Sequence, residues 1–454
     1  MNKKNQYDVV FVYEVKQREY ESVVLLKLEL ERRGYSVKIL SAWDEAFHLN
    51  SPIKTHILIM YSMYNDRTFR NSLRYVKNCH KIMNMQWEQI KPRGFDDIPL
   101  DKEMFHGATG LARSTCYICW GKHNHDMLTQ KYAVPEINTR IIGDISLDFL
   151  RPEFIGYFMT KDELLAEFNI PLNKKIVLFI SSFSTNISGV TDTYNQHDDL
   201  AYNVNTYIET LTRSKEQVIS WLKKASIEFP NIVFIYRPHP AELSDGRLSD
   251  LFSDCPNIRL IDKYSVRQWI LVSDKIFVWL STTIKELCFL NKEFGVLRPL
   301  PVERRTDYKI YDVFDHIKDY TSFAKALSTS KLINNSSISD YVLIDPNTPT
   351  YKKICDYIED VYRSDTYNSD IIYPCLPFRV FCRFLYNFKI SLKKELVIRK
   401  CLSPIGVLIW GKEGYNIKKE EYYYQCKLKA KNHVAQAEND EIISKIKKII
   451  EATP

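Results

Sequence analysis

Residues 232–242 read IVFIYRPHPAE, an apolar run that ends in Arg237, Pro238, His239 and Pro240. The two prolines fix the backbone on either side of His239 and forbid both a helix and a continued β-ladder there. A rigid turn at the C-terminal edge of a parallel strand aims the imidazole into a cleft. With Arg237 beside it, the pair suits an oxygen-rich anion such as a nucleotide phosphate. A plain strand-ending turn with a surface histidine is the rival reading. Behind a later apolar run, Ser281, Thr282 and Thr283 precede Ile284, with Glu286 three residues beyond Thr283. Hydroxyls, free backbone N–H groups and a helix dipole there form a second anion site, and Glu286 in the first turn is placed to take a ribose hydroxyl. The same letters also spell a capping box that needs no ligand, Thr283 as N-cap and Glu286 at N3.

Transfer of a group from a phosphate-bearing donor needs a second device, a base that removes the proton of the acceptor hydroxyl. Glu88, in the run Met85–Gln89 (MQWEQ), is the candidate. Glu14 and Glu19, in Tyr13–Glu19 (YEVKQRE) behind the first strand, are the runners-up. Arg18 and Trp87 stand beside them on the acceptor side. Each carboxylate alone also fits a salt-bridged surface group, and in a retaining reaction Glu88 would act as nucleophile instead. Neither a GxGxxG nor a GxxxxGK[ST] run occurs, so dehydrogenase and P-loop kinase readings lose their main support. Cys116 and Cys119 have CxxC spacing, but in an extended strand their sulfurs point to opposite faces and no second pair completes a zinc site. His123, His125 and Asp126 read as a surface helix start, and His197-Asp198-Asp199 as solvated loop. No metal is expected.

The elements that must position these groups follow the pattern of apolar runs. Val9–Tyr13 reads as a strand, Gln17–Arg33 as an amphipathic helix closed by Gly34, and Tyr35–Leu40 as a second strand. Strands follow at His56–Met60, Lys81–Met85, Thr115–Trp120 and Thr139–Ile142, with helices at Asp66–Lys77 and His123–Tyr132. After a polar, helix-like connector at Thr160–Asn173 the series repeats. Strands fall at Lys175–Ser181, Ile232–Tyr236, Ile258–Ile261, Lys275–Leu280 and Phe294–Leu297, with helices at Ser214–Phe229, Val266–Val272 and Thr283–Leu290. Residues 184–212 are polar and too long for an ordinary loop. The fold class is therefore α/β, two tandem Rossmann-like doubly wound domains with a C-terminal helical, basic tail. The boundaries are 1–155, 156–345 and 346–454, with the helical segment Tyr320–Tyr362 leading into the tail.

The chain has 454 residues and a formal charge of +7. Residues 371–454 carry 16 Lys and Arg against 8 Asp and Glu, and residues 1–370 carry 47 against 48. A neutral body argues against nucleic acid as partner. Met1–Asp8 is polar and Val9–Val12 is too short for a signal segment, so a cytoplasmic location is expected. From Pro377 to Lys400 aromatic and aliphatic residues alternate with Arg and Lys. Such a stretch either lies on the anionic inner face of the cell membrane or packs back on the body.

The RPHP strand end and the (S/T)-(S/T)-x-x-x-E helix start together resemble bacterial surface-carbohydrate (capsule and O-antigen) glycosyltransferases of the two-Rossmann GT-B type. Among these the HP-motif sialyl- and Kdo-transferases are the nearest likeness. Tyr13–Glu19, Met85–Gln89, Trp120–His123 and Ile142–Asp148 (IGDISLD) resemble the strand-end and junction motifs of the same proteins, over about residues 8–345. The resemblance implies donor-phosphate binding by His239, Ser281, Thr282 and Thr283. It also implies a CMP-activated acidic sugar (Kdo or a sialic-acid-like nonulosonate) as donor, a surface glycan or its lipid-linked precursor as acceptor, and no cofactor. The family's acidic Asp/Glu-Asp/Glu-Gly motif is absent, with Trp87-Glu88-Gln89 the nearest match. Glycerophosphate transfer from CDP-glycerol, a UDP-sugar 2-epimerase of the same two-domain fold and a non-catalytic polymer binder are the alternatives.

Overall fold

The computed structural model describes residues 5–43, 53–72, 76, 78–94, 108–183, 204–239, 242, 248–304, 306–329, 338–365, 385, 388, 392, 395–397 and 403–452. Within them lie two six-stranded, all-parallel sheets. The first holds β1 (Gln6–Tyr13), β2 (Val37–Ser41), β3 (Lys54–Met60), β4 (Asn78–Asn84), β5 (Cys116–Cys119) and β6 (Thr139–Ile141), in the order β2-β1-β3-β4-β5-β6. The second holds β7 (Lys175–Ile180), β8 (Ile232–Arg237), β9 (Ile258–Leu260), β10 (Lys275–Val278), β11 (Phe294–Leu297) and β12 (His316–Ile317), in the order β12-β11-β10-β7-β8-β9. In each sheet the order reverses beside the first strand, which opens a crevice at the C-terminal edge where ligands of such folds sit. Val9–Val12 of β1 and Ile176–Ile180 of β7 are buried on both faces, as parallel strands covered by helices require. This is the expected α/β pair of doubly wound units. The two-residue β12 was not anticipated.

The helices depart from the sequence expectations in instructive ways. The chain leaves β1 through a π-turn (Lys16–Tyr20) before α1 (Glu21–Arg32) begins. In the first domain α2 covers Asp66–Ser72, with 73–75 and 77 of the expected helix outside the described residues, and α3 (Lys122–Asp126) runs on into a π-turn at Met127–Lys131, which together give the helix expected at His123–Tyr132. The connector forms α4 (Lys161–Glu167), and here a true capping box closes the helix start. Thr160 accepts from the N–H of Glu163, and the Glu163 carboxylate accepts from the N–H of Thr160. α5 (Val204–Glu228) starts ten residues earlier than expected; residues 184–203, with His197, Asp198 and Asp199, lie outside the described residues. α6 (Val266–Val272), α7 (Ile284–Phe289) and α8 (Tyr320–Ser328) complete the second domain. Cys116 and Cys119 are both buried and pack in different clusters on opposite sides of the first sheet. Burial pushes both thiols up to about 12, which suits inert core residues.

After the second domain the chain crosses back. α9 (Thr350–Arg363) buries Tyr351, Ile354, Tyr357 and Ile358 against the first domain, in the core that also holds Leu26 and Leu30 of α1. The Asp148 carboxylate directs this return: it accepts from the N–H groups of Thr350 (2.9 Å) and Tyr351 (2.6 Å) and from Arg151 Nε (2.8 Å). Arg151 in turn donates to the carbonyls of Asp345, Pro346 and Thr348. Two glycines make room for the returning strand of chain. A Cβ on Gly121 would meet the Asp340 carbonyl at 2.5 Å, and Gly143 (φ +113°) lies under the Leu343 carbonyl. The tail ends in α10 (Ser403–Asn432), bent at Gly411, and α11 (Gln436–Ala452), which buries Ile446 and Ile450 on the first domain. The last helix of the tail is therefore part of the body.

Asp148 and Arg151 are 1 % and 4 % exposed, so removing one charge strands the other. Asp148→Ala is expected to cost about 3–5 kcal/mol in urea unfolding and to speed amide exchange across Thr350–Arg363 first. A variant with wild-type stability would show that the pair does not hold the return.

Candidate functional site

One wall of the crevice is the C-terminal edge of the first sheet, where three neighbouring strands each deliver a functional group. Glu14 follows β1, Tyr64 follows β3 and Glu88 follows β4. Arg18 binds them together: its Nη2 lies 2.6 Å from Glu19 Oε1, its Nε 3.1 Å from the same oxygen, and its Nη1 pairs with Glu88. The second Glu19 oxygen accepts from the N–H of Glu14 at 2.6 Å, and Trp43 Nε1 donates to the Glu14 carbonyl. The π-turn sets this geometry by rotating Glu19 inward while Arg18 reaches across the strand ends. Glu19 is wholly buried. Burial lifts its carboxyl pKa, against the pull of Arg18 and the Glu14 N–H. Glu14 is pushed up to about 7, first by burial, then by Glu19, with Arg18 opposing and Glu88 adding. Tyr64 rises to about 12, chiefly through burial, with Glu88 and Glu14 contributing.

The loop that carries Glu88 is preset. Gln86 sits at φ +44° with its N–H held by the Asn84 side chain. Gln89 Nε2 donates to the carbonyls of Gln86 and Ile118, and its Oε1 accepts from the N–H of Trp120. Trp87 is 5 % exposed and packs in the first-domain core, so it does not line the acceptor side as its position in the motif suggested.

The opposite wall is the C-terminal edge of the second sheet. His239 stands exposed in the turn after β8, with its N–H held at 3.1 Å by Glu242 Oε2; Pro240 lies outside the described residues. Glu242 is wholly buried and is itself fixed by Ser181 Oγ (2.8 Å). The crowded walls lower the imidazole pKa by desolvation, the Lys431 ammonium lowers it further, and the Glu88 carboxylate opposes both. Glu88, His239 and Lys431 thus act on one another across the gap. Arg237 has a different task from the one expected. Its Nη groups donate to the carbonyls of Lys263 (3.0 Å) and Tyr264, which ties the β8 edge to the loop behind β9, and burial lowers its pKa to about 10.

The Ser281–Thr283 turn is held from below, by Tyr311 OH on the Ser281 carbonyl (2.6 Å) and by Ser182 Oγ on the N–H of Leu280 (3.0 Å). Thr282 is exposed, and the Ser281 and Thr283 hydroxyls bond to each other. The capping box does not form here: Thr283 makes no side-chain cap, and α7 has only six residues, too few for a strong dipole. Glu286 turns instead to Lys285 (3.3 Å), which reaches Asp144 of the first domain at 2.7 Å. Burial disfavours the Lys285 charge, but Asp144 and Glu286 outweigh it and its pKa is raised. The other Glu286 oxygen, Oε2, is buried with no hydrogen-bond partner among the described residues. His123 and His125 lie on α3 beside Tyr341 and Asp126, away from these groups.

Four participants carried little or no local signal. Glu242 was legible only as the third residue after His239; Tyr64 lies in the loop behind a strand, four residues past its end. Lys431 and Asn432 come from the far end of the chain. Asn432 is buried and accepts from the N–H of Lys16 (2.9 Å) through its side chain and from Tyr13 OH (3.1 Å) through its carbonyl, which brings the end of α10 onto the loop that bears Glu14.

No protein-family model matches the chain, and no curated protein matches it in sequence. Solved structures do match in fold. The wall teichoic acid polymerase TagF aligns with 78% of this chain and 89% of its own at 12% identity and a TM-score of 0.51. A TagF variant soaked with CDPG aligns over the same shares at 11% identity and TM-score 0.51. The S. aureus MnaA–UDP co-structure covers 79% of this chain and 96% of its own at 12% identity and TM-score 0.49.

The cross-cleft coupling has a direct readout. Lys431→Ala is expected to raise the His239 titration midpoint and Glu88→Gln to lower it, in NMR titration of the imidazole. Unmoved midpoints in both would mean that the walls do not face each other. The fold itself is established by the likeness: two facing Rossmann-like domains of the GT-B type, arranged as in TagF.

Proposed function

We propose that this crevice transfers a glycosyl group from a cytidine-nucleotide donor to a hydroxyl acceptor. In finer terms, the donor is a CMP-activated acidic sugar of the Kdo or nonulosonate class and the acceptor a surface glycan or its lipid-linked precursor. The observation that carries this reading is the pairing of two unlike walls, a carboxylate cluster with one member poised near neutrality and a histidine turn with hydroxyls and a lysine. The likeness of the RPHP and STT motifs to the surface-carbohydrate enzymes supports the donor class.

In this reading the bond from the sugar to the donor phosphate breaks as the acceptor oxygen bonds to the sugar. The phosphate gains charge, which a His239 N–H, the Lys431 ammonium and the Ser281 and Thr282 hydroxyls stabilise. The acceptor proton passes to Glu14, whose pKa of about 7 suits a base working near neutral pH. Glu19 and Arg18 hold that loop, and Glu88 supplies field and hydrogen bonding beside it. Glu286 Oε2 takes a ribose hydroxyl. The weight thus moves from Glu88, which is exposed and already paired with Arg18, to Glu14.

Glycerophosphate transfer from CDP-glycerol is the second reading, favoured by the TagF likeness and its CDPG soak. A thermal-shift series with CMP, CDP, UDP and GDP separates the classes, since a ligand of the native state raises the melting temperature. A cytidine nucleotide is expected to win; stabilisation by UDP alone would sink both readings. Donor-hydrolysis assays with CMP-sugars and CDP-glycerol then choose between them.

Glu14→Gln is expected to lower kcat by about a hundredfold or more with donor binding intact. Because Glu14 must be ionised to accept a proton, wild-type kcat/KM should rise with pH through about 7 and lose that limb in the variant. Retention of the limb would remove Glu14 from the role.

A further inference from the structure

The basic stretch from Pro377 to Lys400 lies mostly outside the described residues, and the cation with most to do at the crevice stands elsewhere, at a strand end. The second sheet has two such arginines. Arg237 closes β8 and bonds to the loop behind β9, whereas Arg298 follows β11 and reaches under the turn behind β10. Its backbone is fixed first: the Arg298 N–H donates to the Ile317 carbonyl of β12 at 2.8 Å, which gives that two-residue strand a task. The side chain is buried. Nη1 donates to the Trp279 carbonyl, Nη2 lies 3.0 Å from Asp307 Oδ1, and the guanidinium sits 4.6 Å from the centre of the Tyr311 ring. Tyr311 OH in turn donates to the Ser281 carbonyl at 2.6 Å. Where the chain leaves β10, the carbonyls of Trp279 and Ser281 and the N–H of Leu280 are thus each held by a side chain. Two of those three supports are Arg298 and the ring it stacks on.

Arg298 also carries charge to that place. Asp307 is its one ion-pair partner among the described residues, and the same carboxylate oxygen accepts from the N–H of Tyr308 at 2.8 Å. The Arg298 Nε is buried with no hydrogen-bond partner among the described residues. Burial lowers the pKa, with Asp307 opposing, but a guanidinium stays protonated at any working pH. A cation held out of water acts more strongly on its surroundings than one in solvent. Asp307 adds register. Its backbone carbonyl accepts from the N–H of Arg93 at 3.0 Å, five residues beyond Glu88, so the group that steadies Arg298 is fastened to the loop of the opposite wall.

We infer that Arg298 is the positioning residue of the phosphate site: it holds the Ser281–Thr283 turn in shape for an anion and supplies buried positive charge behind it. This rests on the reading that the turn meets the phosphate of a nucleotide donor, whatever its base. Lysine is no substitute at such a position, because a single ammonium cannot hold the Trp279 carbonyl and Asp307 in one plane and stack on Tyr311 as well.

Calorimetric titration of the full chain with a nucleotide and its own nucleoside separates this role from a merely structural one. The nucleotide is whichever of CMP, CDP, UDP and GDP raises the wild-type melting temperature most. Arg298→Lys is expected to weaken the nucleotide by about tenfold and to leave the nucleoside unchanged, since a nucleoside has no phosphate for the turn to hold. Tyr311→Phe keeps the ring under the guanidinium and removes the hydroxyl bond to Ser281. It should weaken the nucleotide by about threefold, again sparing the nucleoside, and it reads the same turn even where Arg298→Lys unfolds. Equal loss of nucleotide and nucleoside, or full nucleotide affinity in both variants, would overturn the inference, as would a wild-type chain that binds none of the four. A wild type that takes UDP alone, with the phosphate-dependent loss in the variants, would sink the cytidine reading and leave the role of Arg298 standing.

Discussion

The architecture hangs on a carboxylate that never sees water. Asp148 takes two backbone donors of α9 and the guanidinium of Arg151, and Arg151 binds the three carbonyls that lead into that helix. A buried pair of this kind adds little net stability over an apolar alternative, but its hydrogen-bond demands are met in only one chain path. That path returns the chain from the second domain to the first. Beside it, Lys285 joins Asp144 across the junction, and Arg267 donates to Glu21 and to the Ser146 carbonyl. On the other flank Pro92 bridges Tyr308 and Arg93 N–H meets the Asp307 carbonyl. The crevice is thereby held from both sides, and the walls meet in a fixed register.

Electrostatics then divides the labour. On the first wall one guanidinium serves three carboxylates, and a single cation cannot keep three crowded acids ionised. Glu88 keeps solvent, Glu19 receives hydrogen bonds, and Glu14 is left with neither advantage. Burial first, and the neighbouring acids second, push its pKa up to about 7. On the second wall the order is reversed: the anions, Glu242 above all, are buried behind the backbone of His239, and the exposed groups are an imidazole and a hydroxyl, with Lys431 acting on the imidazole from the end of α10. These acidic and cationic faces need no net charge on the body to function.

Much of this was legible, for a physical reason. Parallel strands covered on both faces are continuous apolar runs, so eleven of the twelve strands could be placed; β12, two residues long, has no such run. The His239 turn declared itself through its prolines. The capping pattern misled, because Thr160–Glu163 and Thr283–Glu286 share one spacing and only the first forms a box. Glu286 is claimed by Lys285, whose partner Asp144 lies in another domain, and no local window contains that fact. Arg237 and Trp87 were given outward roles from their neighbours in sequence. Packing against the loop behind β9 and within the first core decided otherwise. Tyr64 and Lys431 escaped because contacts between distant segments leave no periodicity to read.

The contact between Tyr13 and Asn432 spans 419 positions. Tyr13 ends β1 beside the loop that bears Glu14, and Asn432 closes α10, so two segments with no neighbours in sequence share one fastening. A change at Asn432 therefore acts on the Glu14 loop as directly as a change within the loop itself.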